Sequence, residues 1–191
     1  MEIQTKIKKT IILKDEDYER SEIPMTKFPI RAETFFRLAV SEGDAFLDIG
    51  CGTGSIAVQA ALFGAEVTGI DQKPEAVALT QKNAAKHGVL LRLICGSAPS
   101  DLPATQFDKI FIGGASKVLP ETIAYAATHL KPNGIIAANF ILTSSFETFL
   151  RELKRQNFTN IEAGLRQTAN MAEHGLWKGE NPIYIVSARR A

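Results

Sequence analysis

The sequence predicts an α/β protein built on a doubly wound, mostly parallel sheet of seven strands with helices on both faces. Two observations carry this prediction. Short apolar runs alternate with amphipathic stretches along the chain, which is the pattern of repeated strand and helix units. The first buried run ends in a glycine-rich turn, Gly50–Gly54, that leads into a helical pattern. At 191 residues and 45% hydrophobic composition the chain can bury a sizeable core, so we expect a single domain over residues 1–191.

The N-terminal part, residues 1–40, is predicted to lie on the substrate side of a core sheet that spans residues 41–191. Residues 1–24 are charged and irregular, and we interpret Lys14–Arg20 within them as a solvated segment.

A helix is predicted over Phe28–Val40, with Pro29 in its first turn. Lys27 and Arg31 are four residues apart and would share one face of this helix. They are either two solvated cations or a clamp for an anionic substrate, and the sequence leaves both interpretations open. The apolar positions that predict the helix are Phe28, Ala32, Phe35, Phe36 and Ala39.

The core alternates strands and helices from the first apolar run onward. Breaker residues at Lys131–Gly134 mark a turn before the fifth strand. The predicted strands are Phe46–Ile49, Glu66–Ile70, Leu90–Cys95, Phe107–Ile112, Ile135–Phe140, Asn160–Leu165 and Ile183–Ala188. The predicted helices between them run from Ser55 to about Phe63 and over Pro74–His87, Val118–Leu130 and Ser144–Gln156.

Four segments that follow predicted strands should border one crevice. Right-handed crossovers place the crevice at the carboxyl ends of strands one and four, where the winding of the sheet reverses. The segments are Gly50–Gly54, Asp71, Gly96–Ala98 and Ile112–Gly114. The sequence therefore predicts a binding site assembled from distant parts of the chain.

The glycine loop is typical of a nucleotide-type ligand. Its spacing is G-x-G-x-G, whereas the dinucleotide fingerprint requires a third glycine or alanine at the position of Ser55. A Walker-type phosphate loop is excluded because no Gly-Lys-Ser/Thr follows. The run Leu47–Gly54, followed by Gly69–Asp71, instead resembles the cofactor motif of the class I S-adenosylmethionine-dependent methyltransferases.

That resemblance implies a Rossmann-like sheet closed by an antiparallel last strand, and S-adenosylmethionine as cofactor. In this family the glycine loop faces the methionine part of the cofactor, and the acid after strand two, here Asp71, takes both ribose hydroxyls. An acid after strand three often holds the adenine amino group, but this chain has Ser97 there. The departure leaves the adenine to backbone groups and to Ala98.

A narrower resemblance covers nearly the whole chain. The segments Ile23–Lys27 with Arg31, Phe111–Gly114 and Asn181–Ile185 are similar to the cobalt-precorrin decarboxylating methyltransferases of cobalamin biosynthesis. That family methylates carbon 15 of a corrin precursor and removes carbon dioxide from the acetate side chain on ring C. The implied cofactor contacts are Thr26, Gly50, Cys51, Gly52, Thr53, Gly54, Asp71 and Ala98. Departures from its pattern occur at Phe28–Pro29, Ser97, Ser100 and Phe140–Ile141.

The substrate implied by this resemblance is a tetrapyrrole rich in carboxylates, so cations near the crevice are candidate ligands for it. Methyl transfer from a sulfonium depends mainly on positioning, and we name neither a catalytic base nor a metal site. Phe111 and Phe140 either line an apolar decarboxylation pocket or belong to the core, and burial statistics favour the core. The candidate substrate contacts are Lys27, Arg31, Lys117 and Asn139, with Arg151 as a further cation.

Composition argues against several other classes of protein. A net charge of +1 lacks the basic surplus of a nucleic-acid binder, and no run of 18 apolar residues is present. Cys51 and Cys95 stand apart, so neither a zinc site nor a disulfide is indicated. We expect a cytoplasmic homo-oligomer that binds neither membrane nor nucleic acid.

Two further readings stay open. The chain could methylate another small molecule or a protein carboxylate, or it could be a non-catalytic subunit that keeps the cofactor fold. Asn181–Pro182 is similar to a motif of adenine amino-methyltransferases, but it opens the last strand instead of following strand four, so a structural turn is the better interpretation. His87, His129 and His174 are too far apart in sequence to indicate a metal cluster.

Overall fold

The computed structural model describes residues 12–114 and 116–191. The helices are α1 (Phe28–Leu38), α2 (Ser55–Leu62), α3 (Pro74–Lys86), α4 (Leu119–His129) and α5 (Thr143–Arg155). The strands are β1 (Ala45–Ile49), β2 (Glu66–Asp71), β3 (Arg92–Cys95), β4 (Phe107–Ile112), β5 (Leu130–Phe140), β6 (Thr159–Arg166), β7 (Ala169–Met171), β8 (Trp177–Gly179) and β9 (Ile183–Arg189).

The central sheet has seven strands in the order β3-β2-β1-β4-β5-β9-β6. Strand β1 pairs in parallel with both β2 and β4, and the winding of the sheet reverses between β1 and β4. Strand β9 runs antiparallel to both β5 and β6. The predicted fold class is confirmed, including the antiparallel last strand.

Alternation along the strands separates two apolar cores. Leu47 and Ile110 face α4 and α5, whereas Phe46 and Phe111 face α1 and α2. Asp48 follows Leu47, so period-two alternation turns it to the same face as Phe46, towards α2. The carboxyl group of Asp48 therefore lies among apolar neighbours, near the end of β1 that leads into the glycine loop.

Strand β5 is longer than the sequence predicts. Residues 131–134 were expected to form a turn before the strand, but Leu130 already pairs with Phe107 of β4. The register then shifts before Lys109 pairs with Ile135, and Asn133 takes a positive φ of 63°. The turn-forming residues thus form an irregularity inside β5, because β5 pairs with β4 both before and after them.

The connection between β6 and β9, in which no strand was predicted, contains a second, two-stranded sheet. Strands β7 and β8 pair antiparallel and are joined by a short 3-10 turn in which His174 has a φ of 63°. Met171, Leu176 and Trp177 on this hairpin are 68%, 70% and 69% exposed. The hairpin presents apolar side chains to solvent instead of burying them against the main sheet.

Residues 12–27, which we call the N-terminal strap, are not a solvated segment. Leu13 and Tyr18 are buried, and Asp15–Asp17 form a 3-10 turn. The Leu13 amide donates to Oε1 of Gln59 at 2.9 Å, and the Tyr18 hydroxyl donates to the Ser55 carbonyl at 3.1 Å. The strap is therefore docked on α2. The expectation for residues 1–11 lies outside the described residues.

Helix α1 begins as expected, with Pro29 in its first turn, and ends at Leu38, where Ala39 takes the left-handed conformation. Its buried face differs from the prediction. Ile30, Thr34 and Leu38 are buried, whereas Phe36 is 86% exposed. Phe35 is buried as predicted, but the buried face as a whole is rotated about the helix axis from the predicted one. In the described part of the chain, no helix combines the length and apolar character needed to cross a membrane.

Candidate active site

Two adjoining cavities lie at the carboxyl ends of β1 and β4, where the crevice was predicted. The larger has a volume of about 570 Å³ and the smaller about 280 Å³. Gly50 and Gly52 of the glycine loop, Gly113 after β4 and Pro24 of the strap border both cavities. The glycine loop and the strap therefore form the partition between the two spaces.

The glycine loop is held by contacts that exclude side chains. Gly50 has a φ of 80°, and a Cβ atom there would lie 2.8 Å from the Gly114 amide nitrogen. Gly54 has a φ of 79°, and a Cβ atom there would lie 2.9 Å from Cγ2 of Thr80. These glycines are thus required by the approach of other protein segments as well as by their own backbone conformation.

The larger cavity contains Asp71, Ala98 and Lys117, three residues singled out from the sequence. Asp71 ends β2, and its carboxylate accepts hydrogen bonds from the amides of Gly52 and Lys73, both at 3.0 Å. Ala98 follows β3, and Lys117 is exposed before α4. Asp71, the glycine loop and Lys117, which follow three different strands, thus border the same cavity.

The smaller cavity is less polar. Phe111 and Phe140 are buried in the core, as burial statistics favour, and also form part of the wall of this cavity. Lys27 is half-buried at the start of α1. The side-chain amide of Asn139 donates to the Thr34 hydroxyl at 3.0 Å, which ties the end of β5 to α1. Predicted site residues on its walls are Thr26, Lys27, Gly50, Cys51, Gly52, Thr53 and Asn139.

Asp48 lines the smaller cavity and is only 1% exposed. Within the described residues, neither of its carboxyl oxygens has a hydrogen-bond partner, and the same holds for the buried hydroxyl of Thr53. Burial raises the pKa of Asp48 to about 7; the nearby Ala57 amide opposes this shift and the charge of Asp71 adds to it. Two unsatisfied polar groups on one wall are the expected mark of a site that receives a polar ligand.

Cys51 is not a candidate nucleophile. It is buried, and burial raises the pKa of its thiol to about 12, with the neighbouring Asp48 charge acting in the same direction. The Thr80 hydroxyl lies 3.5 Å from its sulfur and lowers the pKa only in part. Cys51 therefore contributes a neutral, apolar surface to the smaller cavity.

Arg31 lines neither cavity, and the structure corrects the expectation that its guanidinium is a solvated or ligand-facing cation. The side chain is only 1% exposed. Its Nη atoms donate to the carbonyls of Leu13 and Thr26, both at 2.7 Å, and to the Asp15 carboxylate at 3.2 Å. The guanidinium is therefore committed to the strap, because three protein acceptors occupy its donors.

Two other sequence candidates also lie apart from the cavities. Gly54 caps α2 and faces Thr80 of α3. Arg151 is on α5, where its side chain is largely exposed and pairs with Glu152 at 3.6 Å. Neither contacts the space that the remaining candidates enclose.

The hairpin region contributes wall residues that were not among the predicted site residues. Thr168, Glu180 and Asn181 line the smaller cavity, although Asn181 was interpreted as part of a structural turn. The Glu180 amide donates to the Thr168 carbonyl at 2.8 Å, which brings the two ends of the hairpin together at the site. Their distance in sequence from the glycine loop leaves no local signal for this placement.

No group of three potential metal-binding side chains occurs in the described ranges, 12–114 and 116–191. His87 lies 3.0 Å from the Asp17 carbonyl through Nε2, and the His129 ring stacks on Tyr125 at 3.9 Å. These two histidines therefore have structural partners.

Comparisons with known proteins agree with this geometry. A family model described as precorrin methyltransferase domain matches residues 17–190. A probable cobalt-precorrin-6B C(15)-methyltransferase (decarboxylating) of Saccharolobus solfataricus is 38% identical, over 92% of this chain and 94% of the relative. The solved structure of a precorrin 8W decarboxylase of Methanobacterium thermoautotrophicum has a TM-score of 0.85 at 25% identity, over 93% of this chain and 99% of that one. A precorrin-6y C5,15-methyltransferase of Geobacter metallireducens has a TM-score of 0.88 at 23% identity, over 93% and 96%.

Proposed function

Because the chain belongs to the family of precorrin methyltransferases, we propose that it methylates carbon 15 of a cobalt-precorrin and decarboxylates the same substrate. The observation that carries the proposal is the pair of adjoining cavities that share the glycine loop. One cavity holds an acid positioned for a cofactor, and the other combines aromatic walls with Lys27. A reaction between a bound cofactor and a large, partly apolar anion requires such an arrangement.

We assign S-adenosylmethionine to the larger cavity. Asp71 would accept hydrogen bonds from the ribose hydroxyls, and Ala98 would lie against the adenine. Gly50 and Gly52 border both cavities, so the methionine part would extend past them to the wall of the smaller cavity, where Thr26, the unsatisfied Thr53 hydroxyl and the Asp48 carboxyl would supply polar partners. When bound, this cofactor supplies an electrophilic methyl group on a sulfonium sulfur. At about 570 Å³, with Asp71 and Lys117 on its walls, the cavity has room and polarity for it.

The substrate is assigned to the smaller cavity and its opening. Lys27 would pair with a peripheral carboxylate, Asn139 would form a hydrogen bond with another polar group, and Lys117 would lie at the side of the cofactor. The carboxylate that is lost would lie against Phe111 and Phe140, where an apolar surround disfavours its charge. In that position the electron pair of the breaking carbon–carbon bond passes into the conjugated ring, where it neutralises the positive charge that the incoming methyl group brings. Carbon dioxide leaves.

In this scheme the chain acts by positioning and by excluding water. Pro24 and the glycine loop separate the two cavities, so a methyl group could pass only across their shared border. No side chain is assigned as a catalytic base, since an electron-rich carbon of a conjugated macrocycle needs none. Holding the acceptor carbon in line with the sulfur–methyl bond can account for several kcal/mol of the barrier, on the order of 7.

The proposal is tested by titrating the protein with S-adenosylhomocysteine in a calorimeter and then supplying a carboxylated cobalt-precorrin with S-adenosylmethionine. We expect cofactor-product binding and a product that is heavier by one methyl group and lighter by one carbon dioxide. Binding without this mass change would favour the alternative hypothesis, that the chain methylates another small molecule or a protein carboxylate. Absence of binding would overturn the cofactor assignment and leave a non-catalytic subunit as the alternative.

We further propose that the chain works as one domain, in the cytoplasm and as a homo-oligomer, without binding nucleic acid or membrane. The exposed apolar residues of the β7–β8 hairpin support self-association, since an isolated two-stranded hairpin is marginally stable in water. Both cysteines are free, as is usual in a reducing compartment. Light scattering of the wild type and of Trp177→Ser, at matched concentration, tests the assembly.

A further inference from the structure

Arg31 is among the largest fully buried side chains of the described residues, yet it borders neither cavity. A buried guanidinium is costly unless its donors are satisfied. Here they are satisfied by one short segment of chain. Its partners Leu13, Asp15 and Thr26 all belong to the strap, and its guanidinium carbon lies 5.0 Å from the centre of the Tyr18 ring, which also belongs to it.

Asp15 completes this connection from the other side. Its Oδ1 accepts hydrogen bonds from Arg31 at 3.2 Å and from the Phe28 amide at 2.9 Å. The first turn of the strap is thereby tied to the first turn of α1. Arg31 then reaches across this turn to the Thr26 carbonyl, so both ends of the strap are bound to a single side chain.

The strap is also the segment that partitions the two cavities. Ile23 and Pro24 line the larger cavity, and Pro24–Lys27 line the smaller one. The Pro24 carbonyl and Cγ2 of Ile23 would lie 3.4 and 3.6 Å from a Cβ atom at Gly52, so the strap rests directly on the glycine loop. A displacement of the strap would therefore change both cavities at once.

We propose that Arg31 is a positioning residue, which with Asp15 holds the strap on the glycine loop and so sets the shape of both cavities. It acts on ligands only through the strap. The inference rests on the proposed function for the identity of the ligands, but the placement of the strap is a property of the free protein. If Arg31 bound the substrate directly, its loss would instead weaken only the binding of the anionic substrate and leave the affinity for the cofactor unchanged.

The test compares Arg31→Ala, Arg31→Lys and Asp15→Ala with the wild type. Arg155→Ala is the matched control, because it removes an arginine from an ion pair of 2.6 Å with Glu152 on α5, away from both cavities. The dissociation constant for S-adenosylhomocysteine is measured by calorimetry well below the Tm of every variant. We expect Arg31→Ala to raise it about tenfold, with a smaller rise in Asp15→Ala and Arg31→Lys and none in Arg155→Ala. The KM for the tetrapyrrole should rise in parallel in the first three variants.

Asp15→Ala decides between the alternatives, because Asp15 borders neither cavity and its loss is milder for folding than that of a buried arginine. If Arg31→Ala and Asp15→Ala lower the Tm but bind S-adenosylhomocysteine as tightly as the wild type, Arg31 is a stabilising residue and the proposal is overturned. If only the KM for the tetrapyrrole rises, and only in the Arg31 variants, Arg31 is a substrate ligand and the proposal is likewise overturned.

Limited trypsin digestion separates failure of this inference from failure of the proposed function. Lys14 and Arg20 are exposed residues of the strap and provide cleavage sites within it. We expect slow cleavage there in the wild type and in Arg155→Ala, and at least about tenfold faster cleavage in Arg31→Ala and Asp15→Ala. If the wild type binds no S-adenosylhomocysteine, this difference still supports the positioning role. Equal cleavage rates would overturn it.

Discussion

The glycine loop and the N-terminal strap border the same two cavities but obtain their shapes in different ways. The loop is specified by residues within it, since Gly50, Gly52 and Gly54 all adopt positive φ values in a stretch of five residues. The strap has no comparable local signal, and it is held by Arg31 of α1 and by contacts to α2. One wall of a site can thus be encoded locally, while the wall beside it depends on contacts with side chains of other elements, Arg31 among them.

The difference matters for how each wall fails. A substitution in the loop meets backbone atoms that cannot move, such as the Gly114 amide at 2.8 Å from a Cβ atom at Gly50. A substitution at the strap's attachment removes hydrogen bonds but introduces no overlap. We therefore expect loop variants to lose the site outright and strap variants to weaken it by degrees.

Gly50→Ala should have the largest effect of these variants, and it tests the close packing of the glycine loop. The new methyl group combines a positive φ with close backbone contact, so we expect a loss of about 3 kcal/mol in the free energy of unfolding and loss of S-adenosylhomocysteine binding. Gly88→Ala is the control, because Gly88 has a φ of 67° with nothing within 4 Å of its Cβ position. It should cost about 1 kcal/mol and leave binding intact. Urea unfolding and calorimetry measure both, and equal effects in the two variants would contradict the packing argument.

The pH dependence of stability tests the burial of Asp48 in β1, the strand that precedes the glycine loop. Its folded-state pKa of about 7 lies above the usual value, so the folded state holds the proton more tightly than the unfolded state does. Stability contributed by Asp48 is therefore lost as pH rises from about 4 to about 7, and is constant above that range. Relative to that of Asp48→Asn, the free energy of unfolding of the wild type should fall by on the order of 3 kcal/mol between about pH 5 and pH 8. The measurement is urea unfolding of both proteins without ligand, and a difference independent of pH would exclude the raised pKa.

Asp71→Ala tests the proposed role of the carboxylate that lies beside the glycine loop in the larger cavity. Loss of a carboxylate that accepts hydrogen bonds should weaken S-adenosylhomocysteine binding by about 2 kcal/mol, or roughly thirtyfold. Glu75→Ala removes the same charge from the exposed first turn of α3 and should leave the affinity unchanged. Calorimetry on both variants checks this, and an unchanged affinity in Asp71→Ala would remove its ribose role.

Lys27→Ala should have the smallest effect of these variants, and it tests whether the last residue of the strap binds the anion. Lys27 stands one turn before Arg31 but lines the smaller cavity, so its loss should affect only the anion. We expect the KM for the tetrapyrrole to rise roughly fivefold, equivalent to about 1 kcal/mol, with no change in S-adenosylhomocysteine affinity. Lys154→Ala, on α5, is the control. A weakened S-adenosylhomocysteine affinity in Lys27→Ala would place this cation at the cofactor instead.

The core sheet could be predicted because its determinants are local. Apolar runs marked β1, β2 and β4, and breakers at Gly113–Gly114 marked the end of β4. The sequence also predicted that Asp71 borders the crevice, and it lines the larger cavity, since the carboxyl ends of parallel strands must meet at one edge of the sheet. Where local pattern and tertiary pairing compete, as at residues 131–134, the prediction failed, because pairing of Leu130 with Phe107 is visible only in three dimensions.

The two cations at the start of α1 show the limit of such reasoning. Lys27 and Arg31 look alike in sequence, but a rotation of the buried face of α1 hides the second and leaves the first at a cavity. Phe36 is exposed for the same reason. Helical spacing gives the set of residues that share a face, and the packing partner decides which face is buried.

From the sequence alone we could predict the fold class, the glycine loop, the position of Asp71 at the end of β2 and the edge of the sheet at which the cavities lie. Each follows from periodicity, from backbone conformations open to glycine, or from the handedness of crossovers, all of which act over a few residues or one strand–helix unit. Only the tertiary structure decided that the strap divides the site in two, that Arg31 is bound within it, and that Asp48 and Asn181 meet at one cavity. Those arrangements join segments far apart in the chain, and their energies depend on burial, which exists only once the chain has folded.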